Sequence, residues 1–185
     1  CDEAFLVSAR EFGGSDTYAT ATIIAAALKH IGYDLVITGR QAIDGDTAQV
    51  GPQIAENLKV PQISYAEEIN IEKDKLTVKR QYEDRYHIIE AKPPCLLTAL
   101  SELAEPRYMH TRGIVEAYEK EIKVLGFEDL KNSLNPEHIG LKGSPTNVFK
   151  SFTKQAKGQG ALYADISADE AVKVIIQKLE ERHII

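Results

Sequence analysis

Residues 33–38 read YDLVIT, an uninterrupted β-favouring run. A strand of that kind suits a parallel sheet, where helices cover both faces and no polar alternation is needed. Its neighbours narrow the choice further. Upstream, Ser15 and Asp16 offer N-cap side chains to the alanine-rich TYATATIIAAALKHIG, which ends at Gly32, a residue suited to close a helix. Ala19, Ile23, Ala26, Ala27 and Ile31 recur there at helical spacing. Residues 4–8 form a short apolar run before that helix, ended by the polar AREFGGSD. Downstream, residues 39–52 read GRQAIDGDTAQVGP, and a second helix is expected from Asp46 or Thr47 to about Leu58. Strand, helix, strand, glycine-bearing loop and helix in this order predict right-handed βαβ units, and so an α/β fold with a doubly wound, mostly parallel sheet.

Beyond Pro61 the pattern changes to alternation. Ile69 and Ile71, then Leu76 and Val78, flank the turn-forming EKDK, and YHIIEA follows, which predicts an antiparallel meander attached to the parallel core. CLLTAL from Cys95 is again a buried strand, with Pro93 and Pro94 placed where no amide donor is needed. EPRYMHTRGIVEAYEKEI reads as a loop and a short helix. Residues 132–160 hold turn formers and lysines with little apolar periodicity, a kind of stretch that gains order by wrapping a partner. At the end Ser167 caps ADEAVKVIIQKLEER, whose Val172, Ile175, Ile176 and Leu179 share one helical face. The chain opens on Cys1 and runs straight into an apolar strand. A segment upstream of it is therefore expected, and no signal-peptide pattern is present, which points to the cytoplasm.

With 28 acidic and 22 basic residues the net charge is −6, which argues against nucleic acid held by broad electrostatic attraction. No run has the apolar length to cross a bilayer. Cys1 and Cys95 lie far apart in no metal-ligand spacing, so neither a disulfide framework nor a metal site is expected. His30, His87, His110, His138 and His183 are scattered, none beside a nucleophile or a paired carboxylate in a motif. No catalytic residue is assigned.

The chemistry concentrates in the segment after YDLVIT. A phosphate needs converging amide donors, little side-chain bulk and the positive end of a helix dipole. Gly39 and Gly45 permit a close backbone path, and residues from Asp46 to Gln49, as a first helical turn, would offer free amides. Thr47 and Gln49 add side-chain hydrogen bonds and Arg40 a fixed cation. Asp44 and Asp46 would repel phosphate if aimed at it. An N-cap role for Asp46 and a turn or ribose contact for Asp44 avoid that conflict. The loop lies where open parallel sheets collect ligands, outside a strand's carboxyl end. The plainer alternative is a polar loop capped by Asp46, with glycines serving turn geometry. The segment matches neither G-x-G-x-x-G nor the Walker pattern.

GRQAIDGDTAQVGPQIAENLKVPQ, with EFGGSDTYATA before it and EPRYM, GLKGSPT and SFTK after it, closely resembles the β subunit of electron transfer flavoprotein, in register from about Asp2 to the C-terminus. The resemblance implies a Rossmann-like fold of the adenine nucleotide α-hydrolase kind, with an antiparallel extension and a C-terminal arm. It divides the chain into a nucleotide-binding domain at 1–125, lacking its first strand-helix unit, and an arm and helix at 126–185 that contact an α subunit. It carries a nucleotide site onto Gly39, Arg40, Gln41, Ala42, Ile43, Asp44, Gly45, Asp46, Thr47, Ala48, Gln49 and Val50. In this family the site holds AMP in the common form and FAD in electron-bifurcating forms, and the small residues of DGDTAQVGP resemble the bifurcating members of anaerobic bacteria. FAD is therefore expected.

The implied function is electron carriage by a heterodimer, in which bifurcating members take a hydride from NADH and send electrons to the α-subunit flavin and to ferredoxin or flavodoxin. EPRYMHTRGI resembles the loop that docks on an acyl-CoA dehydrogenase, with Met109, His110 and Thr111 as the docking candidates. Thr111 stands where mitochondrial members place an apolar anchor, while Arg107 and Tyr108 fit a structural corner equally well. GLKGSPTNVFKSFTKQAKGQG reads as the arm around the α subunit. The alternatives from other classes are a non-redox AMP- or ATP-binding module and, more remotely, a hydrolase of an adenylated substrate.

Overall fold

A computed structural model describes residues 1–153, 158 and 160–185. It divides into two compact units, Cys1–Asn147 and Val148–Ile185. Residues 126–147, grouped above with the C-terminal arm, belong to the first unit.

The first unit is the expected mixed α/β fold. Strand β1 (Ala4–Val7) leads through a 3-10 turn to α1 (Thr17–Ile31), then β2 (Leu35–Gly39) and α2 (Val50–Leu58). The meander is β3 (Gln62–Glu72), β4 (Lys75–Tyr82) and β5 (Arg85–Ala91), followed by β6 (Cys95–Ala99), α3 (Thr111–Tyr118), β7 (Ile122–Leu125) and the one-turn helices α4 (Phe127–Leu130) and α5 (Gly140–Gly143). Five strands pair in the order β2-β6-β3-β4-β5, and β1 pairs with β7 in a separate ribbon. The pairs β2–β6, β3–β6 and β1–β7 are parallel, while β3–β4 and β4–β5 are antiparallel. Strand β7 went unread in the sequence because it is four residues long, mostly exposed, and defined by a remote partner.

Helix α1 explains the alanine richness of its segment. Ala21 and Ala25 pack with Val36, Ile54, Ala55, Leu58 and Leu96. Ile23, Ala26 and Ala27 face a second cluster with Leu125, Leu130, Leu134 and Ile139. A helix buried on two sides needs small residues where its neighbours come close. The meander has its own core, in which Ile63, Ala66, Leu76 and Val78 meet Cys95 and Leu97 of β6. Burial pushes the Cys95 thiol's pKa upward, so it behaves as a packed apolar group.

The second unit contains α6 (Ala168–Glu180), opened by the capping box that the sequence indicates, Ser167 with Glu170. Val172, Ile175 and Ile176 on its apolar face are exposed. The expected arm falls partly outside the described residues: 154–157 and 159 are not among them, whereas 140–147 belong to the first unit. Among the described residues no helix is long and apolar enough to cross a membrane.

Candidate functional site

Residues 39–50 leave the carboxyl end of β2 and reach α2 through an exposed loop. Two features differ from the expectation. The helix starts at Val50 with Gln49 as its N-cap residue, so Asp46 does not cap it and residues 46–49 are not its first turn. Pro52 supplies the reason. A helix begun at Thr47 would require the residue-52 amide to donate to the Ala48 carbonyl, and proline has no such donor. With the start at Val50, Pro52 falls in the first turn, where the missing donor is harmless, and the first helical bond is Gln53 N–H to the Gln49 carbonyl at 3.0 Å.

The glycines also divide differently. A Cβ added at Gly39 or Gly45 would meet nothing within 4 Å, and neither has a positive φ, so the chain's own packing requires neither. The close approach belongs to Gly51. A Cβ there would lie 2.6 Å from Thr38 Oγ1 and 2.8 Å from Thr98 Cγ2. Gly51 lets the start of α2 rest directly on the carboxyl ends of β2 and β6. The VGP triplet carried that signal in the sequence.

The left-handed conformations fall instead on Asp46 (φ 51°) and Ala48 (φ 53°), residues with no glycine freedom. Strain of this sort persists where surrounding structure holds it, and it clusters at binding sites. Asp46 N–H donates to the Ala42 carbonyl at 3.0 Å, Gly45 N–H donates to Asp44 Oδ1 at 2.9 Å, and Gln41 Nε2 donates to the Asp46 carboxylate. Asp44 and Asp46 thus organise the turn. Thr17 Oγ1 donates to Gln49 Oε1 at 3.3 Å, tying the loop to the start of α1. Ile43, 99% exposed, projects from the turn.

Among the described residues, the amides of Thr47, Ala48, Gln49, Val50 and Gly51 have no acceptor, and Gln49 makes no side-chain cap bond. Beneath them Thr38 Oγ1 is buried without a hydrogen-bond partner. Open amides at a helix start beyond the end of a parallel strand are the donors an anion needs, and the buried Thr38 hydroxyl lies beneath them. The donor set fits the phosphate end of a nucleotide.

The loop borders a cavity of about 530 Å³, lined by Arg40, Gln41, Ile43, Ala99, Leu100 and Glu102 among others. Arg40 Nε donates to Gln41 Oε1 at 3.0 Å, and its guanidinium carbon lies 5.5 Å from the centroid of the Tyr65 ring. Arg80 approaches the same ring at 5.9 Å. Neither Tyr65 nor Arg80 was picked out in the sequence, where both read as ordinary positions of the meander.

Met109, His110 and Thr111 lie apart from this loop in sequence, and Met109 and His110 line a different surface. His110 Nδ1 accepts from Gly113 N–H at 3.0 Å, so His110 is the N-cap of α3 and Thr111 is its first residue. Met109 is 71% exposed, and with Tyr108, His110, Ile114 and Tyr118 it borders a cavity of about 780 Å³. The arrangement is an exposed apolar-aromatic surface formed by α3 and the loop before it.

Residues 1–130 match the family described as electron transfer flavoprotein domain. The chain is 51% identical over 185 residues to the caffeyl-CoA reductase-Etf complex subunit CarD of Acetobacterium woodii, a match covering 100% of this chain and 70% of that protein. It is 48% identical over 184 residues to the electron transfer flavoprotein subunit beta of Clostridium acetobutylicum, with 100% and 70% covered. Against the acryloyl-CoA reductase electron transfer subunit gamma of Anaerotignum propionicum the identity is 50% over 190 residues, with 100% and 71% covered.

Proposed function

The chain belongs to the electron transfer flavoprotein family, as a β subunit, and we propose on that premise that it holds FAD at the 39–50 loop within a bifurcating α-β heterodimer. The observation that carries the cofactor reading is the uncapped start of α2 above the orphaned Thr38 hydroxyl. Backbone amides from Thr47 to Gly51 hold the phosphates, Arg40 adds a cation, and Gly39 and Gly45 leave the space above the loop clear. When bound, FAD supplies both two-electron and one-electron redox chemistry, the combination that bifurcation between NADH and ferredoxin or flavodoxin uses.

Two exposed surfaces support the partners in this reading. The apolar face of α6 supports association with an α subunit, and the surface around Met109, His110 and Thr111 supports docking of an acyl-CoA dehydrogenase. The names of the relatives from Acetobacterium woodii and Anaerotignum propionicum, which refer to CoA-ester reductases, accord with such a partner. We place the complex in the cytoplasm.

AMP is the competing occupant, because the loop itself accounts only for the phosphate end of a nucleotide. Quantifying FAD and AMP per purified heterodimer separates the two: two flavins and no AMP is the expected result, and one flavin with one AMP rejects the FAD reading. Gly45→Val tests the loop. The fold has room for that side chain, so the variant should remain folded while nucleotide occupancy drops several-fold, and full occupancy would remove the loop from the site.

A further inference from the structure

The nucleotide loop is not the only cationic element near the carboxyl ends of β2 and β6, where the first residues of β3 run alongside β6. Strand β3 is irregular there: its register shifts between Ile63 and Ala66 against β6 and between Ala66 and Glu68 against β4, and Tyr65 sits at φ 60°. The conformation is held from below. Tyr65 N–H donates to Thr98 Oγ1 at 2.9 Å, and Thr98 is 2% exposed within β6. The irregularity turns the Tyr65 ring to where the guanidiniums of Arg40 and Arg80 both approach it, at 5.5 and 5.9 Å.

Neither arginine is neutralised. Among the described residues no carboxylate lies within 4 Å of Arg40 or Arg80, whereas the adjacent Lys79 is paired with Glu67 at 2.7 Å. Arg80 spends two donors on Ser64, its Nε on the carbonyl and Nη2 on Oγ, each at 3.0 Å. Arg40 spends one on Gln41. A guanidinium has five N–H donors, so both retain several for a ligand. Both arginines therefore have charge and N–H donors to offer an anion.

The space for that anion exists. Arg40, Tyr65 and Arg80 line a cavity of about 330 Å³ that shares Arg40 and Gln81 with the cavity bordering the loop. Glu83, the carboxylate in its lining, lies exposed at the β4–β5 turn, and Glu102 of the neighbouring cavity accepts a hydrogen bond from Ser101 Oγ. Continuity with the loop favours a group on the same ligand over an acidic side chain of another protein.

We infer that Arg40, Tyr65 and Arg80 form the diphosphate subsite of the nucleotide pocket, selecting ligands that carry a second phosphate beyond adenosine monophosphate. The inference rests on the nucleotide reading of the 39–50 loop and extends it to the meander. Arg80 acts through its planar fork, which lysine does not reproduce.

The test is calorimetric titration of nucleotide-stripped α-β heterodimer with ADP and with AMP. Arg80→Gln should weaken ADP at least tenfold while changing AMP less than twofold, and Arg80→Lys should give an intermediate loss. Thermal unfolding of each variant checks folding, and Arg80→Lys serves if Arg80→Gln misfolds. Equal changes for ADP and AMP, or none for either, overturn the subsite. Wild-type binding of AMP but not ADP overturns it and leaves the loop reading intact. Wild-type binding of neither nucleotide removes both.

Discussion

Helices α1 and α2 each follow a strand of a parallel pair and pack against each other, yet their first turns are finished in opposite ways. Asp16 caps α1, its Oδ1 accepting from Ala19 N–H at 3.0 Å and its Oδ2 from the Thr146 amide and hydroxyl at 2.9 and 2.8 Å. Ser144 Oγ accepts from Asp16 N–H at 2.8 Å. The positive end of α1 is thus closed by the chain itself. Helix α2 has no side-chain cap, and its amides face open space above an unpartnered threonine hydroxyl. A side chain that closes a helix start removes it as a ligand site. Within GLKGSPT, Ser144 and Thr146 thus lock the start of α1.

The open start of α2 is disturbed most severely at Gly51. Gly51→Ala places a methyl within 2.6 Å of Thr38 Oγ1 and 2.8 Å of Thr98 Cγ2, both on packed strands. We expect a loss of about 1–3 kcal/mol by overpacking, read as a lowered urea midpoint, together with weaker nucleotide binding. A variant with wild-type stability would show that α2 does not rest on the sheet.

Asp16→Ala comes next, and it should act on stability alone. Loss of the cap costs about 1–2 kcal/mol at neutral pH, with nucleotide affinity unchanged. The effect carries a pH signature. Burial alone would raise the Asp16 pKa, but hydrogen bonds from Ala19, Thr146 and Tyr18 outweigh it and hold the carboxyl below its ordinary value. A depressed carboxylate contributes stability above the unfolded pKa and loses it as pH falls through the folded one. The gap between wild type and Asp16→Ala, followed by urea unfolding, should therefore be full at neutral pH and close below the ordinary carboxylate range. A gap independent of pH would remove the charge from the explanation.

The smallest effect is expected from Ala48→Gly. Glycine relieves the left-handed strain at φ 53° but adds unfolded-state freedom, leaving a net gain of roughly 0.5 kcal/mol or less. The sharper readout is nucleotide affinity, which should fall as the loop loses its fixed shape. Unchanged affinity would mean that the strain serves no binding purpose.

Much of the fold was legible locally. Asp16 and Gly32 mark the ends of α1, the alternation of Ile69, Ile71, Leu76 and Val78 gives the meander, and Ser167 with Glu170 opens α6. Reading failed where long-range geometry decides. Asp46 looks like a cap by composition, but Pro52 moves the helix start past it. Ser144 and Thr146 sit in an apparently irregular stretch because their partner, Asp16, is more than a hundred residues away. Tyr65 and Arg80 fit a strand pattern, and nothing local shows that Arg40 and Arg80 both approach the Tyr65 ring.

The ribbon of β1 and β7 has a consequence in time. Among the described residues β1 pairs with β7 alone, and Lys123 meets Glu3 across 120 positions of sequence. A ribosome adding about 5–20 residues per second releases β1 many seconds before its mate exists. For that interval Phe5, Leu6 and Val7 form an apolar segment without its β7 partner, the kind of species that chaperones shield. Strand β1 meets β7 only after the whole meander has been made, and nascent-chain handling has to bridge the wait.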